Sequence, residues 1–241
     1  MDFFAPDNFL SAVMDRAAFW LATTPSEDQR PAFLAACAAR LRDPRFFGTA
    51  KAPAQDQARL SLLLDAGFRP VDVSLSLARV VRTAGEIPPQ AWPGLVRLAR
   101  PEDEADVRRI SATSLTTSRF HQDPAIGLDV AARIKAEWAG NYFCGKRGQT
   151  MAVAEKDGRV AGFLLFLYSG QSLIIDLLAV DAPFRRQGAA AAIIAFAEAN
   201  LPGFTTLAVG TQAANTGSVR FYESLGLRYT GSSYVLHAHG G

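Results

Sequence analysis

The stretch that most constrains the fold is residues 172–200, SLIIDLLAVDAPFRRQGAAAAIIAFAEAN. It begins with an apolar run typical of a buried strand and continues through a turn that contains Pro183, two arginines and Gly188. A helix of small residues follows directly, so its first free backbone N–H groups lie at the end of a strand, where the helix dipole favours an anion. The pattern therefore predicts a site at which a phosphate group is held by backbone atoms.

A purely structural interpretation of this stretch is an alanine-rich helix packed on a sheet. Gly188 would then serve only the turn, and Ala189 and Ala190 would serve only close packing. A structural turn has no need of two arginines beside its glycine, whereas Arg185 and Arg186 supply the charge that an anion requires. The anion site is therefore the favoured interpretation.

Composition and charge exclude several classes of protein. With 49% hydrophobic residues among 241, the chain can bury the core of one large or two small domains. Its 25 Lys and Arg against 23 Asp and Glu leave a formal net charge of +2, and no block of like charges marks a nucleic-acid binder. No run of 18 or more apolar residues occurs, and the first residues, MDFFAPDNF, do not predict a signal peptide. Cys37 and Cys144 are far apart and form no C-x-x-C motif, which is typical of reduced thiols in a cytoplasmic protein. We therefore expect a soluble, cytoplasmic protein that binds neither nucleic acid nor membrane.

Helical and strand patterns alternate along the first third of the chain. They predict helices over residues 11–20, 26–42 and 55–66, a loop over 44–53, and a strand over 70–80 in which apolar and polar residues alternate.

Glycine and proline concentrate in residues 83–94, which are therefore the best candidate for a linker. We predict a small N-terminal α/β domain over residues 1–94 and a second domain over 95–241. The second domain should contain a mixed sheet with helices on its faces, because patterns of both kinds alternate along it. Its strands are expected over residues 95–98, 151–155, 160–167, 173–180, 205–209 and 233–237.

One internal sequence similarity, called the echo below, connects the two predicted domains. Residues 62–78 resemble residues 221–238, with a glycine and an arginine at matching positions. Any helix that ends in glycine before a strand gives a similar pattern, so the likeness alone leaves both interpretations open. If the echo reflects a repeat, the first domain is a partial copy of the second, and Leu63 stands where the second domain has Tyr222.

Three motifs in order resemble a known family. The first is R-x-x-G-x-A, formed by Arg185, Gly188 and Ala190 directly after a strand that ends in LLAV. Residues 96–110 resemble the opening strand and helix of the same family, and residues 215–227 resemble its late helix with an asparagine and a tyrosine. Together they resemble the GNAT superfamily of N-acetyltransferases.

This resemblance covers roughly residues 96–238. It implies an α/β fold of the α+β type, with a mixed, mostly antiparallel sheet flanked by helices. It also implies that acetyl-CoA is the acyl donor and that an amine attacks the thioester directly, without an acyl-enzyme. No Cys or Ser has a base at a spacing that would favour a covalent route.

The resemblance also implies which residues bind acetyl-CoA. Three groups are expected. Backbone atoms at the end of the strand would pair with the pantetheine arm, and the glycine turn would bind the pyrophosphate. One asparagine would bind the cofactor or cap the late helix. In chain order these are Leu178, Ala179 and Val180; Arg185, Arg186, Gln187, Gly188, Ala189 and Ala190; and Asn215.

The catalytic residues implied are an acid and a base. Tyr222 would protonate the departing CoA sulfur, although a tyrosine beside Phe221 is equally typical of a core. The attacking amine must be neutral, which calls for a base or a water chain. Asp176, in the middle of an apolar strand, is the best candidate because a buried carboxylate is costly without a role, and its alternative role is a structural hydrogen bond. His121 is the other candidate, because an unperturbed histidine titrates near neutral pH.

Residues 118–124, 141–148 and 209–222 carry a narrower resemblance, to TDP-fucosamine acetyltransferases. These act on the amine of a nucleotide sugar and also carry an extra N-terminal domain. The likeness implies a nucleotide-linked amino sugar as the acceptor. The acceptor contacts it implies are Arg119, Phe120, His121, Tyr142 and Arg147.

Other interpretations remain open at this point. The acceptor can instead be a small amine, an amino acid or a protein N-terminus, and the domain can bind acyl-CoA without catalysis. The sequence leaves a homodimer open. His237 and His239 resemble a C-terminal tail, and no cluster of histidines, cysteines and acids has metal-ligand spacing, so we predict no metal site.

Overall fold

The structure is a computed structural model that describes residues 3–82 and 91–241. Its strands are β1 (Phe4–Pro6), β2 (Ala17–Leu21), β3 (Phe46–Pro53), β4 (Arg69–Val80), β5 (Leu95–Leu98), β6 (Thr150–Lys156), β7 (Arg159–Ser169), β8 (Ser172–Val180), β9 (Thr206–Gln212) and β10 (Arg228–His239). Its helices are α1 (Asn8–Met14), α2 (Arg30–Arg40), α3 (Gln57–Asp65), α4 (Glu104–Ser114), α5 (Arg119–Gln122), α6 (Leu128–Gly140), α7 (Ala189–Asn200) and α8 (Thr216–Ser224).

The strands form one sheet in the order β1-β2-β3-β10-β4-β9-β8-β7-β6-β5. Neighbouring strands are antiparallel except for the pairs β2 with β3 and β8 with β9, which are parallel. The prediction of a mixed, mostly antiparallel sheet flanked by helices is therefore confirmed.

Strands from the two parts of the chain interleave at the middle of this sheet. Strand β10 lies between β3 and β4, and β4 lies between β10 and β9. The predicted linker over residues 83–94 falls mostly on residues 83–90, which lie outside the described parts of the chain. The division into domains 1–94 and 95–241 therefore stays a prediction.

The sheet contains an internal two-fold repeat. Ser233 pairs with Pro53, and Ser74 pairs with Gln212. Pro53 and Gln212 are 159 residues apart, and so are Ser74 and Ser233. The pairing of β3 with β10 is therefore equivalent in register to the pairing of β9 with β4. The unit β3-α3-β4 therefore repeats as β9-α8-β10, in agreement with the echo in the sequence, and a buried Leu63 takes the place of Tyr222.

Two local predictions in the first third of the chain were wrong. The helix predicted over residues 11–20 ends at Met14, where Asp15 caps it in a left-handed conformation with φ of 53°, and the following residues form β2. The loop predicted over 44–53 is β3, which pairs with β2 on one side and β10 on the other. Both strands are short and depend on distant partners, which local periodicity does not reveal.

Helix α7 rests on the sheet beside the predicted phosphate turn. Its inward residues Ala189, Ile193 and Ala197 are buried against strands β6 to β8. In the described ranges, no helix combines the length and the apolar character needed to cross a membrane.

Candidate active site

A cleft opens where strands β8 and β9 separate. The two strands pair in parallel as far as Ile175 and Val209, and no pairing continues beyond them. On the other side of β8 the register shifts: Ile175 pairs with Phe166 and Leu177 pairs with Leu165, which leaves Asp176 as the extra residue of a bulge. The gap between the two strands forms a cleft of about 880 Å³.

The β9 side of strand β8 is an open edge along this cleft. Leu178, Ala179 and Val180 line the cleft. The carbonyl of Val180 faces away from β7, because it accepts hydrogen bonds from Ser114 Oγ at 3.3 Å and Arg185 Nε at 3.0 Å. An extended ligand can pair with such an edge as an added strand. This is the arrangement expected of a pantetheine site.

The turn at the end of the cleft is shaped to bind an anion. Arg186 and Gly188 both have left-handed backbone conformations, with φ of 64° and 90°. A Cβ at Gly188 would lie only 3.2 Å from the backbone nitrogen of Trp92, so a larger residue would crowd the turn. Residues 187–191 have no protein acceptor for their N–H groups within the described chain, and the first turn of α7 has no acidic side chain. These free donors fit a pyrophosphate.

The side chains of the turn are not all directed toward the cleft. Arg185 and Arg186 line it, and a guanidinium group can donate several hydrogen bonds to a phosphate. The amide of Gln187 instead donates to the Pro183 carbonyl at 2.9 Å and accepts from Lys156 Nζ at 3.2 Å. Only the backbone of Gln187 is therefore available to the predicted phosphate site.

Helix α8 presents Tyr222 to the cleft. Asn215 is the N-cap of this helix: its side chain accepts from the Ser218 N–H and donates to Thr117. Asn215 therefore fixes the helix to the rim of the cleft, the second of the two roles expected for it. Tyr222 is only 5% exposed, and its hydroxyl has no hydrogen-bond partner within residues 3–82 and 91–241. Burial raises the pKa of Tyr222, so the phenol stays protonated.

Asp176 lines the cleft as an ion pair. Arg147 donates to both of its carboxylate oxygens at 2.7 Å, and Trp138 Nε1 donates at 3.3 Å. The Arg147 guanidinium also stacks over the Trp138 ring, 4.6 Å from its centroid. Both carboxylate oxygens are therefore engaged by Arg147, and Asp176 could act as a base only if this ion pair separated.

A smaller pocket of about 200 Å³ lies behind this ion pair. Its walls include Arg119, Lys146 and Arg147, together with Trp138. Helix α1 completes the pocket, so the first third of the chain contributes to it. The structure thus brings Arg119 and Arg147 together, as the predicted acceptor contacts require.

The other predicted acceptor contacts line neither cavity. Phe120 is fully buried between Trp138 and His237 and is a core residue. His121 is held by Ser118 Oγ, at 2.8 Å from its Nδ1. Tyr142 packs against a neighbouring phenylalanine in the partly buried layer below α6. The positions of Phe120, His121 and Tyr142 therefore do not fit direct substrate binding.

Sequence reasoning missed Lys135, which lines the cleft although it is only 9% exposed. The signal that could have found it is a charged residue on the apolar face of a helix, beside Ile134 and one turn before Trp138.

His237 and His239 belong to strand β10 and are not a tail, so that prediction was wrong. His237 Nδ1 and His239 Nε2 both donate to Asp123 Oδ2, at 2.6 and 2.8 Å. Burial alone would raise the pKa of Asp123, but the two hydrogen bonds outweigh it and hold that pKa below its ordinary value. The three groups lie close enough to hold a metal ion, a cluster that the sequence spacing did not predict.

The buried His237 should make the protein sensitive to acid. Burial lowers the pKa of His237 from its ordinary 6.5 to about 4, against the opposing effect of Asp123. The unfolded chain therefore takes up a proton as the pH falls through 6.5, while the folded chain does so only near 4. We expect the free energy of unfolding to fall by about 3 kcal/mol across this window, measured by urea denaturation. A His237→Leu variant should lose this slope; an unchanged slope would contradict the assignment.

The chain is similar to known proteins in sequence and in fold. Residues 113–227 match the acetyltransferase (GNAT) family. The chain is 32% identical over 139 residues to the spore coat polysaccharide biosynthesis protein SpsD of Bacillus subtilis, an alignment that covers 57% of this chain and 48% of SpsD. The chain thus spans about half the length of this curated relative.

Solved structures share the fold at low identity. A conserved protein of unknown function from Staphylococcus epidermidis superposes with a TM-score of 0.70 at 16% identity, over 100% of this chain and 93% of that one. A tandem GNAT protein from the clavulanic acid biosynthesis pathway gives 0.64 at 12% identity, over 94% and 76%. A GCN5-related N-acetyltransferase from Kribbella flavida gives 0.57 at 16%, over 93% and 82%. The chain therefore carries a domain of the GNAT acetyltransferase family over residues 113–227.

Proposed function

We propose that this protein is an acetyl-CoA-dependent N-acetyltransferase that acts on the amino group of a nucleotide-linked sugar. The observation that carries the proposal is the cleft between β8 and β9, because an open strand edge, a phosphate-binding turn and a buried tyrosine line it together. These are the groups that a CoA thioester needs along its length. The family match over residues 113–227 supports the same chemistry.

In the proposed reaction the acceptor amine attacks the thioester carbonyl directly. The pantetheine arm pairs with the edge formed by Leu178 to Val180, and the pyrophosphate lies on the N–H groups of residues 187–190. A C–N bond forms, the C–S bond breaks, and the phenol of Tyr222 gives its proton to the departing sulfur. The amine nitrogen loses two protons in all, of which one replaces the proton of Tyr222 and the other leaves to a base.

The assignment of the acceptor depends on the smaller pocket. Its lining contains three cations, Arg119, Lys146 and Arg147, against one carboxylate, Asp7, and a diphosphate carries the charge that matches this excess. The pocket adjoins the cleft through Trp138, which contacts Asp176 on the cleft wall. The name of SpsD, which refers to polysaccharide biosynthesis, also favours a sugar acceptor over a peptide.

The test is a thiol-release assay with acetyl-CoA across a panel of TDP- and UDP-linked amino sugars, with peptides and polyamines in parallel. We expect CoA release with at least one amino sugar, at a kcat/KM far above that for the other amines. The matched control is the same sugar without its amino group, which should give no release.

Two outcomes would contradict the proposal at different levels. Turnover on peptides or polyamines alone would make the nucleotide-sugar acceptor wrong and leave the acetyltransferase activity intact. Acetyl-CoA binding without turnover on any amine would instead favour a non-catalytic acyl-CoA-binding domain.

A further inference from the structure

We infer that Lys135 is the base that removes a proton from the acceptor ammonium in the proposed acetyl transfer, an inference that rests on the function proposed above. Lys135 lies on helix α6, is 9% exposed, and lines the same cleft as Tyr222. It was assigned no role by the sequence.

The surroundings of Lys135 are unusual for an ammonium group. Its Nζ lies 4.9 Å from the centroid of the Trp138 ring and 5.8 Å from that of Phe120. Within the described parts of the chain it has neither a hydrogen bond nor an ion pair. The two rings attract a cation, but burial with no carboxylate in direct contact opposes the charged form and shifts the equilibrium toward the neutral amine.

Charges around the amine act in both directions. The pKa of Lys135 is lowered to about 8, and burial is the largest cause; the nearby guanidinium groups also lower it, while the nearby carboxylates raise it. The charged and titratable groups that face it are Arg119 on α5, His121 on the same helix, Arg147 after α6, Asp176 on β8 and Asp72 on β4. With a pKa of about 8, roughly a tenth of Lys135 is neutral at pH 7 and about half at pH 8, and this neutral fraction is what a base requires.

The other titratable groups on the cleft wall are less suitable. Asp176 has both oxygens occupied by Arg147, and Tyr222 stays protonated. The remaining charged side chains of the wall are arginines, which do not give up their protons. Among the described residues that line the cleft, Lys135 is therefore the group able to accept a proton.

The proton balance closes with Lys135 in this role. Its Nζ takes one proton from the acceptor ammonium before the attack, becomes an ammonium itself, and returns that proton to water through the cleft. The second proton on the acceptor nitrogen replaces the one that Tyr222 gives to sulfur. No oxidant, reductant or additional reactant is needed.

The first test measures the protonation of Lys135 directly. The chain has four lysines, Lys51, Lys135, Lys146 and Lys156, so protein labelled with ¹³C at the lysine Cε gives a spectrum that can be fully assigned. The Lys135 signal is identified by its loss in a Lys135→Arg variant. We expect it to titrate near 8, well below an ordinary lysine at about 10.4. Titration at the ordinary value would overturn the inference.

The second test separates a base from a simple cation. On the amino sugar that the wild type acetylates best, Lys135→Met and Lys135→Arg should both lower kcat by about 10²-fold or more. The dissociation constant of acetyl-CoA should not change in either variant. Arg133→Met, which removes an exposed cation from the same helix, is the control and should keep the wild-type rate.

The two variants also distinguish this inference from the proposed function. A Lys135→Arg variant that keeps the wild-type rate would show that the charge alone matters, and Lys135 would then be an anion contact. If the wild type acetylates no amine, the proposed function itself fails. If it acetylates amino sugars and only the lysine result fails, the function stands and the base is another group or water.

Discussion

A Tyr222→Phe substitution is expected to lower kcat for acetyl transfer by about 10²- to 10⁴-fold, the usual contribution of a general acid. The ring stays in place, because phenylalanine fills the same buried volume beside Phe221. Only the hydroxyl is lost, and in the proposed reaction it contacts only the departing sulfur. The dissociation constant of acetyl-CoA, measured by calorimetry, should therefore be unchanged.

Burial affects both partners of this proton transfer. It raises the pKa of Tyr222, which alone would make the phenol a weaker acid. The thiolate of CoA forms in the same buried cleft, where desolvation disfavours the anion and raises its proton affinity as well. Proton transfer to sulfur therefore remains accessible even though Tyr222 stays protonated at neutral pH.

The control for this prediction is Tyr229→Phe. Tyr229 is 62% exposed, lies on β10 and bonds only to the hydroxyl of Ser232, so its loss should leave kcat unchanged. An unchanged rate in Tyr222→Phe, with acetyl-CoA still bound, would remove the tyrosine from the mechanism. It would also favour water as the proton donor.

The cofactor half of the site could be predicted from the sequence because it is local. A strand, a glycine turn and a helix follow one another over residues 172–200, and the backbone donors of the turn are defined by the turn itself. The same holds for helix α8, which places Asn215 at its cap and Tyr222 on its buried face.

The acceptor half could be predicted only in part, because distant segments build it. Arg147 and Asp176 are separated in the chain by β6 and β7, and the ion pair that they form in the fold engages both oxygens of the carboxylate. His237 meets Asp123 across more than a hundred residues, so the histidine resembled a tail. The position of Lys135 beside Ile134 and Trp138 indicates a buried face, but which cavity that face lines is decided only by the folded chain.

An Arg79→Met substitution is expected to cost about 3–5 kcal/mol of unfolding free energy, because it leaves a buried carboxylate without its partner. Arg79 on β4 donates to both oxygens of Glu198 on α7, at 2.6 and 2.7 Å. The two side chains are only 8% and 1% exposed. The Arg82 N–H also donates to Glu198 but cannot neutralise its charge. Urea denaturation followed by circular dichroism measures the loss.

Two further variants show whether this pair connects the halves of the sheet. Arg30→Met breaks the exposed pair with Asp65 and should cost less than about 1 kcal/mol. The double variant Arg79→Met with Glu198→Leu removes both charges and should recover most of the lost stability. Equal losses in the Arg79 and Arg30 variants would mean that water reaches Glu198. We expect the Arg79 variant to lose more stability than the Arg30 variant because β4 lies inside the sheet, between β10 and β9. There it places Arg79 against helix α7, whose N-terminal end follows the phosphate turn.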